Sequence, residues 1–219
     1  MPAMATDLYA HLDLYCERLG PEFWAEPLNA ISNGAFLVSA WLQWRLARTT
    51  PVGLSARAAL LIALVAAIGV GSFLFHTLAL YWAMLADVIP IFIYQLVFLV
   101  CYLQGVARLG WAQVTGWVGV FLVASVGFAA LPQAWLNGSL SYAPALLFVA
   151  GLGIYHRRTG RHAPWGLLAA AGAFALALTC RCLDMTVCPH FQWGTHYAWH
   201  TLNAVVLYAA TRAFVLNQA

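Results

Sequence analysis

Residues 71–87 hold three side chains that could take part in one reaction. Ser72, His76 and Asp87 lie here, at the junction of two long apolar runs. Ser72 and His76 are four residues apart, so on a helix they share one face. A hydroxyl, an imidazole and a carboxylate are costly to bury at a membrane edge, and such groups usually have a function there. This stretch is therefore the first candidate for an active site.

A second pair of histidines, His196 and His200, has the same spacing of four residues. Such a pair on one helix can bind one metal ion, as in the H-E-x-x-H motif, although the glutamate of that motif is absent here. With His76 the pair supplies three imidazoles, and three histidines with an open fourth position are typical of catalytic zinc. Zinc bound in this way lowers the pKa of its water to about 7. The residues therefore predict a zinc-dependent hydrolase.

Each of these residues also has a structural interpretation. Asp87 fits a base that transfers a proton, but an aspartate near the start of a helix is often its N-cap. Ser72 could hydrogen-bond a developing oxyanion, or only the carbonyl four residues earlier. The histidines could hydrogen-bond between helices, or bind haem, which needs one histidine on each of two facing helices. These alternatives require different geometries, so a structure can separate them.

The composition predicts an integral membrane protein. Of the 219 residues, 63% are hydrophobic and only 8% are charged, whereas an ordinary soluble domain is about 25% charged. The net charge of +3 is small and dispersed, so we expect no nucleic-acid partner. Five of the seven acidic residues lie before residue 27. We therefore expect an acidic extramembrane segment over residues 1–26 and a membrane domain over residues 27–219.

Apolar runs of about 20 residues predict membrane-spanning helices. Seven such runs predict an all-α, seven-transmembrane helical bundle, with spans at residues 27–46, 56–77, 83–104, 111–131, 140–156, 163–181 and 196–216. Pro, Gly and Asn residues mark the breaks between them.

The distribution of arginine predicts the orientation of this bundle. With seven spans, eight of the ten basic residues fall on one side, and only Arg18 and Arg181 fall on the other. Because cytoplasmic loops carry the excess of positive charge, we expect the N-terminus outside and the C-terminus in the cytoplasm. The candidate site residues would then lie together near the outer face. All basic residues are arginine, as in GC-rich genomes, which favours a bacterial inner membrane.

The motifs jointly resemble the alkaline ceramidases, within a superfamily that includes the adiponectin receptors and the Per1-type lipid hydrolases. Residues 25–33, AEPLNAISN, resemble the family's A-E-F-W-N-T-V-S-N, and residues 15–17, YCE, resemble its W-C-E. Asp184 and Cys188 match a family aspartate and cysteine four residues apart. The resemblance covers nearly the whole chain. The residues that match the family's site are Ser72, His76, Asp87, His196 and His200.

The resemblance implies zinc on His76, His196 and His200, proton transfer by Asp87, and Ser72 beside the oxyanion. It implies that the protein hydrolyses ceramide or a similar N-acyl lipid, which enters from the bilayer, to a fatty acid and an amine. Two alternatives stay open, because amide and ester hydrolysis pass through the same oxyanion. One is a lipid esterase of the Per1 type, and the other is a non-enzymatic receptor or scaffold that contains zinc.

The resemblance also implies a calcium site in the acidic N-terminal segment, and calcium favours clustered carboxylates. Glu17 and Glu26 match calcium ligands of the family, and Asp13 lies close to the position of a third. The family's aspartate and asparagine align instead with Leu14 and with residues 18–19. The other interpretation of the segment is a solvated acidic tail.

The chain has five cysteines, so at least one is free unless chains cross-link. Cys101 and Cys180 lie within apolar runs, where a reduced thiol packs as a small hydrophobe. The remaining three, Cys16, Cys182 and Cys188, could each form a bond. The family cysteines that match Cys16 and Cys188 are paired, so the resemblance implies a disulfide between them. That bond would tie the acidic segment to the loop before the last helix.

Overall fold

The computed structural model describes residues 7–132 and 135–218, so the remainder of the predicted N-terminal segment and of the membrane domain lies outside it. The α-helices are α1 (Pro27–Ser32), α2 (Gly34–Thr49), α3 (Ala56–Leu78), α4 (Tyr81–Gly105), α5 (Trp111–Ala129), α6 (Ala143–Arg158), α7 (Gly166–Val187) and α8 (His196–Val215). A 3₁₀ segment, Trp135–Tyr142, leads into α6. The described residues contain no strand, only one isolated bridge between His11 and Leu80. The all-α prediction is therefore confirmed.

Five helical segments among the described residues are long and apolar enough to cross a membrane. They are α3, α4, α5, the stretch Trp135–Arg158 and α7. Helix α2 falls short with 16 residues, and α8 is long enough but carries the polar side chains of the candidate site. The helical bundle is thus found as predicted, whereas the count of seven membrane spans stays a prediction.

The outer surface of the bundle is apolar where a soluble protein would be polar. On α5, Val123 is 74% exposed and Val126 is 71% exposed, and Trp117 on the same helix is half exposed. Apolar patches of this extent mark contact with a partner or a membrane. In a bilayer, lipid chains would cover this helix, and its backbone polar groups would be satisfied by hydrogen bonds within the helix.

The helices pack mainly in two pairs, α3 with α4 and α7 with α8, and α2 lies against both α3 and α8. The largest core cluster joins α2, α3, α4 and α8 through side chains such as Phe36, Ile68, Phe98 and Phe214. Because α3 and α8 belong to this one core, the residues at their ends are held at fixed positions relative to each other.

One end of the bundle carries Arg45 and Arg48 of α2 and Arg57 of α3. The Arg57 guanidinium donates to the Gln104 side chain over 3.2 Å, joining α3 to α4. The His162 backbone N–H donates to the Asn217 side chain over 2.8 Å, joining the α6–α7 loop to the segment after α8. The arginines of α2 stack on tryptophans, with Arg45 over Trp41.

The N-terminal segment folds back over the opposite end. Its backbone pairs with the turn between α3 and α4, where the Leu12 N–H donates to the Ala79 carbonyl over 2.7 Å. A disulfide joins Cys16 to Cys188 across a Cα–Cα distance of 5.4 Å. The predicted disulfide is therefore present, and this part of the segment is not a solvated tail. The other three cysteines, Cys101, Cys180 and Cys182, are free.

Candidate metal centre and active site

Three buried histidines converge beneath the N-terminal segment. His76 lies in the last turn of α3, and His196 and His200 lie in the first turns of α8. Each is at most 2% exposed, and one ligand atom from each lies within 4.8 Å of the others. The three ring centroids are 4.6–5.1 Å apart. This spacing suits one metal ion bound by all three rings, and it leaves no room for a haem plane between any two.

Two of the rings are held by polar partners on their other nitrogen. His76 Nδ1 lies 2.5 Å from Glu26 Oε2, and His200 Nδ1 lies 2.8 Å from Ser32 Oγ. Such a partner selects the tautomer and leaves the second nitrogen to a metal. Within the described chain, His76 Nε2 and His196 Nδ1 are buried without a hydrogen-bond partner. Buried polar atoms seldom lack partners, so this donor set fits a zinc ion.

Ser72 and Asp87 stand beside the three histidines. Ser72 is buried one turn before His76 on α3, and it lies close to the Asp87 carboxylate. Helix α4 begins at Tyr81 with Leu80 as its N-cap, so Asp87 lies inside the helix. The N-cap interpretation of Asp87 is therefore wrong, and its carboxylate is free to face the histidines.

A glycine sets the distance between the two helices at this point. A Cβ added to Gly71 would lie 2.0 Å from the Ala86 carbonyl oxygen and 3.1 Å from the Asp87 nitrogen. Only a residue without a side chain allows the two backbones to approach so closely. Gly71 thereby brings Ser72 on α3 next to Asp87 on α4.

A buried carboxylate fixes the start of the helix that carries two of the histidines. Asp184 Oδ1 accepts from the backbone N–H groups of Thr195 and His196 over 2.7 and 2.9 Å, and its Oδ2 accepts from the Cys16 N–H over 3.0 Å. The first N–H groups of a helix lack partners within it, so Asp184 caps α8. A Cβ at Gly194 would come within 2.2 Å of this carboxylate. The sequence identified Asp184 only as a family match, because the contact depends on the fold.

Tyr15 covers the histidines from the N-terminal segment. Its ring stacks on His196 with centroids 3.7 Å apart and lies 5.1 Å from the ring of His76. It also meets the edge of Phe75. No role for Tyr15 followed from the sequence, although its place at the start of the segment that resembles W-C-E was the available signal.

An apolar cavity adjoins the helix that carries His196 and His200. Trp199 and Asn203 of α8 form part of its wall, with aromatic and aliphatic side chains of α4, α5 and α6 around them. The cavity volume is about 70 Å³, which is small beside ordinary small-molecule pockets. The Arg181 guanidinium lies over the rings of Tyr142 and Trp199, at 5.5 and 5.9 Å. The cavity is therefore a small apolar space next to the helix that carries His196 and His200.

The acidic residues expected to bind calcium have other partners. Both oxygens of Glu17 accept backbone N–H groups of α1, from Leu28 over 2.7 Å and from Asn29 over 2.8 Å. Asp13 is exposed to solvent. Glu17 thus serves as the cap of α1, and burial raises the pKa of its carboxyl while the two N–H groups lower it.

Glu26, the third expected calcium ligand, is also engaged. Its carboxylate contacts the Arg18 guanidinium and the Asn29 amide as well as His76. Burial raises the pKa of Glu26, but these hydrogen bonds outweigh burial and leave the pKa below its ordinary value. Among the described residues, the group that meets the spacing of a metal site is the three histidines. Calcium needs six to eight oxygen ligands, and the residues present do not fit it.

Comparison with known proteins agrees with this geometry. A model of the Ceramidase family matches residues 15–216. The matched range begins at Tyr15 and contains every residue of the site described above. No curated protein matches the chain.

Proposed function

Because the chain belongs to the ceramidase family, we propose that it is an integral membrane hydrolase that uses zinc to cleave the amide bond of ceramide or a similar N-acyl lipid. The products are a fatty acid and an amine. The convergence of His76, His196 and His200 is the observation that carries this proposal. The resemblance first drawn from the motifs is confirmed at the level of the family.

Zinc, when bound, would act as a Lewis acid and would lower the pKa of a bound water. Asp87 would accept the proton of the attacking water and return it to the departing amine. Ser72 would donate to the oxyanion, and its donor becomes available once Asp87 is protonated and no longer the better acceptor. Glu26 and Ser32 would keep their histidines in the tautomer that binds the metal.

The cavity supports a lipid as the substrate. Its wall is almost entirely aromatic and aliphatic, and the polar groups near it are few. Such a pocket binds by burial of apolar surface, and a small number of polar groups fix the orientation. Part of an acyl chain or of the hydrocarbon chain of the base would occupy it, with the amide directed towards the histidines.

We place the site at the outer face of a bacterial inner membrane, with the N-terminus outside. The arginine-rich end lies away from the site, which agrees with cytoplasmic placement of that end. Cysteine labelling can test this orientation. Thr49 lies at the arginine-rich end and Gln192 at the end that carries the site, so each would be changed to cysteine in a protein that lacks the three free cysteines. In intact cells, a thiol reagent that does not cross the membrane should label Gln192→Cys and leave Thr49→Cys unlabelled. The opposite labelling pattern would show that the orientation is the reverse of the one proposed.

The test is a panel of labelled ceramides and phospholipids incubated with the purified protein. We expect about one zinc per chain and release of fatty acid from the N-acyl lipids. His76→Ala, His196→Ala and His200→Ala should each lose zinc and activity together. His190→Ala, which alters an exposed histidine of the α7–α8 loop, is the matched control and should keep both.

Three other outcomes would contradict the proposal. Release from ester lipids alone would indicate an esterase of the Per1 type. Bound zinc without any hydrolysis would indicate a receptor or scaffold. A Soret band in a protein without zinc would indicate haem.

A further inference from the structure

A single buried cation in the N-terminal segment is surrounded by oxygen atoms. Arg18 is 3% exposed. Its Nε donates to Glu26 Oε1, and its Nη1 donates to the backbone carbonyls of Gly20 over 2.9 Å and Glu22 over 3.5 Å. Its Nη2 donates to the backbone carbonyl of His76 over 3.0 Å. One carboxylate and three backbone carbonyls therefore converge on one guanidinium.

This is the set of partners that a hard metal cation takes. Carboxylates and backbone carbonyls are the usual ligands of calcium, and a guanidinium can satisfy the same atoms through its fork of N–H donors. Where the resemblance implied calcium, Glu26 bonds to Arg18 and the oxygens of Glu17 are used by α1. We propose that the guanidinium of Arg18 takes the place of a calcium ion in this segment, so that the chain is complete without calcium.

The cation acts on the metal centre through His76. The two oxygens of Glu26 divide between Arg18 and His76, with Oε1 on Arg18 and Oε2 on the imidazole Nδ1. Arg18 also holds the backbone carbonyl of His76. It therefore fixes both the ring partner and the backbone of one candidate zinc ligand, and it is a positioning residue. Loss of such a partner commonly weakens metal binding by roughly 10–100-fold.

The first test needs no variant. Equilibrium dialysis of the wild-type protein in detergent against radioactive calcium should show no saturable binding. A calcium titration of the thermal unfolding midpoint should show no shift. Saturable binding that is lost in Glu26→Gln would overturn the inference, because the segment would then bind the ion that Arg18 is said to replace.

The second test removes the charge and offers calcium in its place. Arg18→Asn keeps the Glu26 carboxylate and the backbone carbonyls that contact Arg18. The shorter asparagine leaves space where the guanidinium was and adds one neutral amide oxygen. Zinc affinity, measured by competition with a zinc-selective chromophoric chelator, should fall by roughly 10–100-fold. Millimolar calcium should restore part of that loss, and the same calcium should leave the wild type unchanged. Arg18→Lys keeps a charge and should lose less affinity.

Arg48→Asn is the matched control, since this arginine lies at the far end of the bundle over Trp44. Unchanged zinc affinity in Arg18→Asn would overturn the inference. A loss that calcium does not alter would also overturn it, because Arg18 would then act by packing alone. If Arg18→Asn does not fold, calcium dialysis of the wild type and the zinc affinity of Arg18→Lys still test whether Arg18 replaces calcium.

This inference rests on the proposed zinc site, and the two can fail separately. A wild type without zinc would contradict the proposed function. Calcium dialysis and the unfolding midpoints require no zinc, so in that case they would still show whether Arg18 replaces calcium.

Discussion

Two of the three histidines are each paired with a second side chain that contacts the ring nitrogen on the side away from the candidate metal site. Glu26 stands behind His76, and Ser32 stands behind His200. The partner of a ligand determines which nitrogen faces the metal and how the ring is oriented. Asp13 and His190 are exposed, so substitutions of these residues serve as controls of matched type.

Asp87→Asn tests proton transfer at this scale. Asparagine keeps the size of the side chain but cannot accept the proton, and general acid–base catalysis is worth roughly 10²–10⁴-fold. We expect turnover to fall by at least about a hundredfold while zinc stays bound. Turnover and zinc content of the same preparation check this. Asp13→Asn changes an exposed aspartate and should leave both unchanged.

Wild-type turnover in Asp87→Asn would exclude Asp87 as the proton carrier. Loss of zinc together with turnover would mean that Asp87 holds the centre together, and the assigned role would again be wrong.

The residue types of the site were predictable from the sequence, but their partners were not. Spacing of four residues placed Ser72 with His76 and His196 with His200, because helical periodicity is a local property. Glu26 has the same appearance in sequence whether it binds calcium or hydrogen-bonds a histidine. Only the fold shows which cation reaches it, and that cation is Arg18.

Among the helices, the crossing of α3 and α4 determines how closely the candidate catalytic residues Ser72 and Asp87 approach each other. The backbones touch at Gly71 and Ala86, directly beside Ser72 and Asp87. A close crossing of this kind depends on the absence of one Cβ, and it does not alter the apolar pattern of either helix.

Gly71→Ala should separate the two helices. The new methyl group would overlap the Ala86 backbone, and overpacking of this type destabilises by roughly 1–3 kcal/mol. We expect a lower unfolding midpoint and a larger loss of turnover, because Ser72 and Asp87 move apart. Gly119→Ala on α5 is the control, since nothing lies within 4 Å of its added Cβ. Equal unfolding midpoints and equal turnover in the two variants would show that the close approach of α3 and α4 at Gly71 is not required for stability or activity.

The helix positions themselves were largely predictable, since apolar runs bounded by Pro, Gly and Asn marked them. The break at Asn33 between α1 and α2 was not. The predicted span over residues 27–46 runs through Asn33 and Gly34, and the start of α1 is fixed by the Glu17 carboxylate, which accepts the Leu28 and Asn29 N–H groups from another segment. Contacts distant in sequence cannot be read from a local pattern.

At the scale of the whole molecule, the N-terminal segment is joined to the bundle at several points. The disulfide, the Asp184 carboxylate and the stacked Tyr15 all connect it to α7 and α8. Arginine counting predicts that the site and the basic end lie on opposite sides of the membrane, and that prediction depends on the number of spans. The number of spans is the part of the architecture that the fold leaves as a prediction.

Loss of the disulfide should loosen this attachment. We expect Cys16→Ala to lower the free energy of unfolding by roughly 2–4 kcal/mol, since the bond closes a long loop. Thermal unfolding in detergent, with and without reductant, measures the effect. Cys182→Ala alters a free cysteine and should keep the wild-type midpoint and its sensitivity to reductant. A Cys16→Ala midpoint equal to that of the wild type would contradict the tether.

The contact between Cys16 and Asp184 spans 168 residues, and it has a consequence for biosynthesis. The N-terminal segment leaves the ribosome before its partners on α7 and α8, and contacts of such separation form only once both ends exist. His76 emerges early, whereas His196 and His200 arrive with the last described helix. A nascent or prematurely terminated chain therefore cannot assemble the three-histidine centre, and lipid hydrolysis would begin only when translation has passed α8.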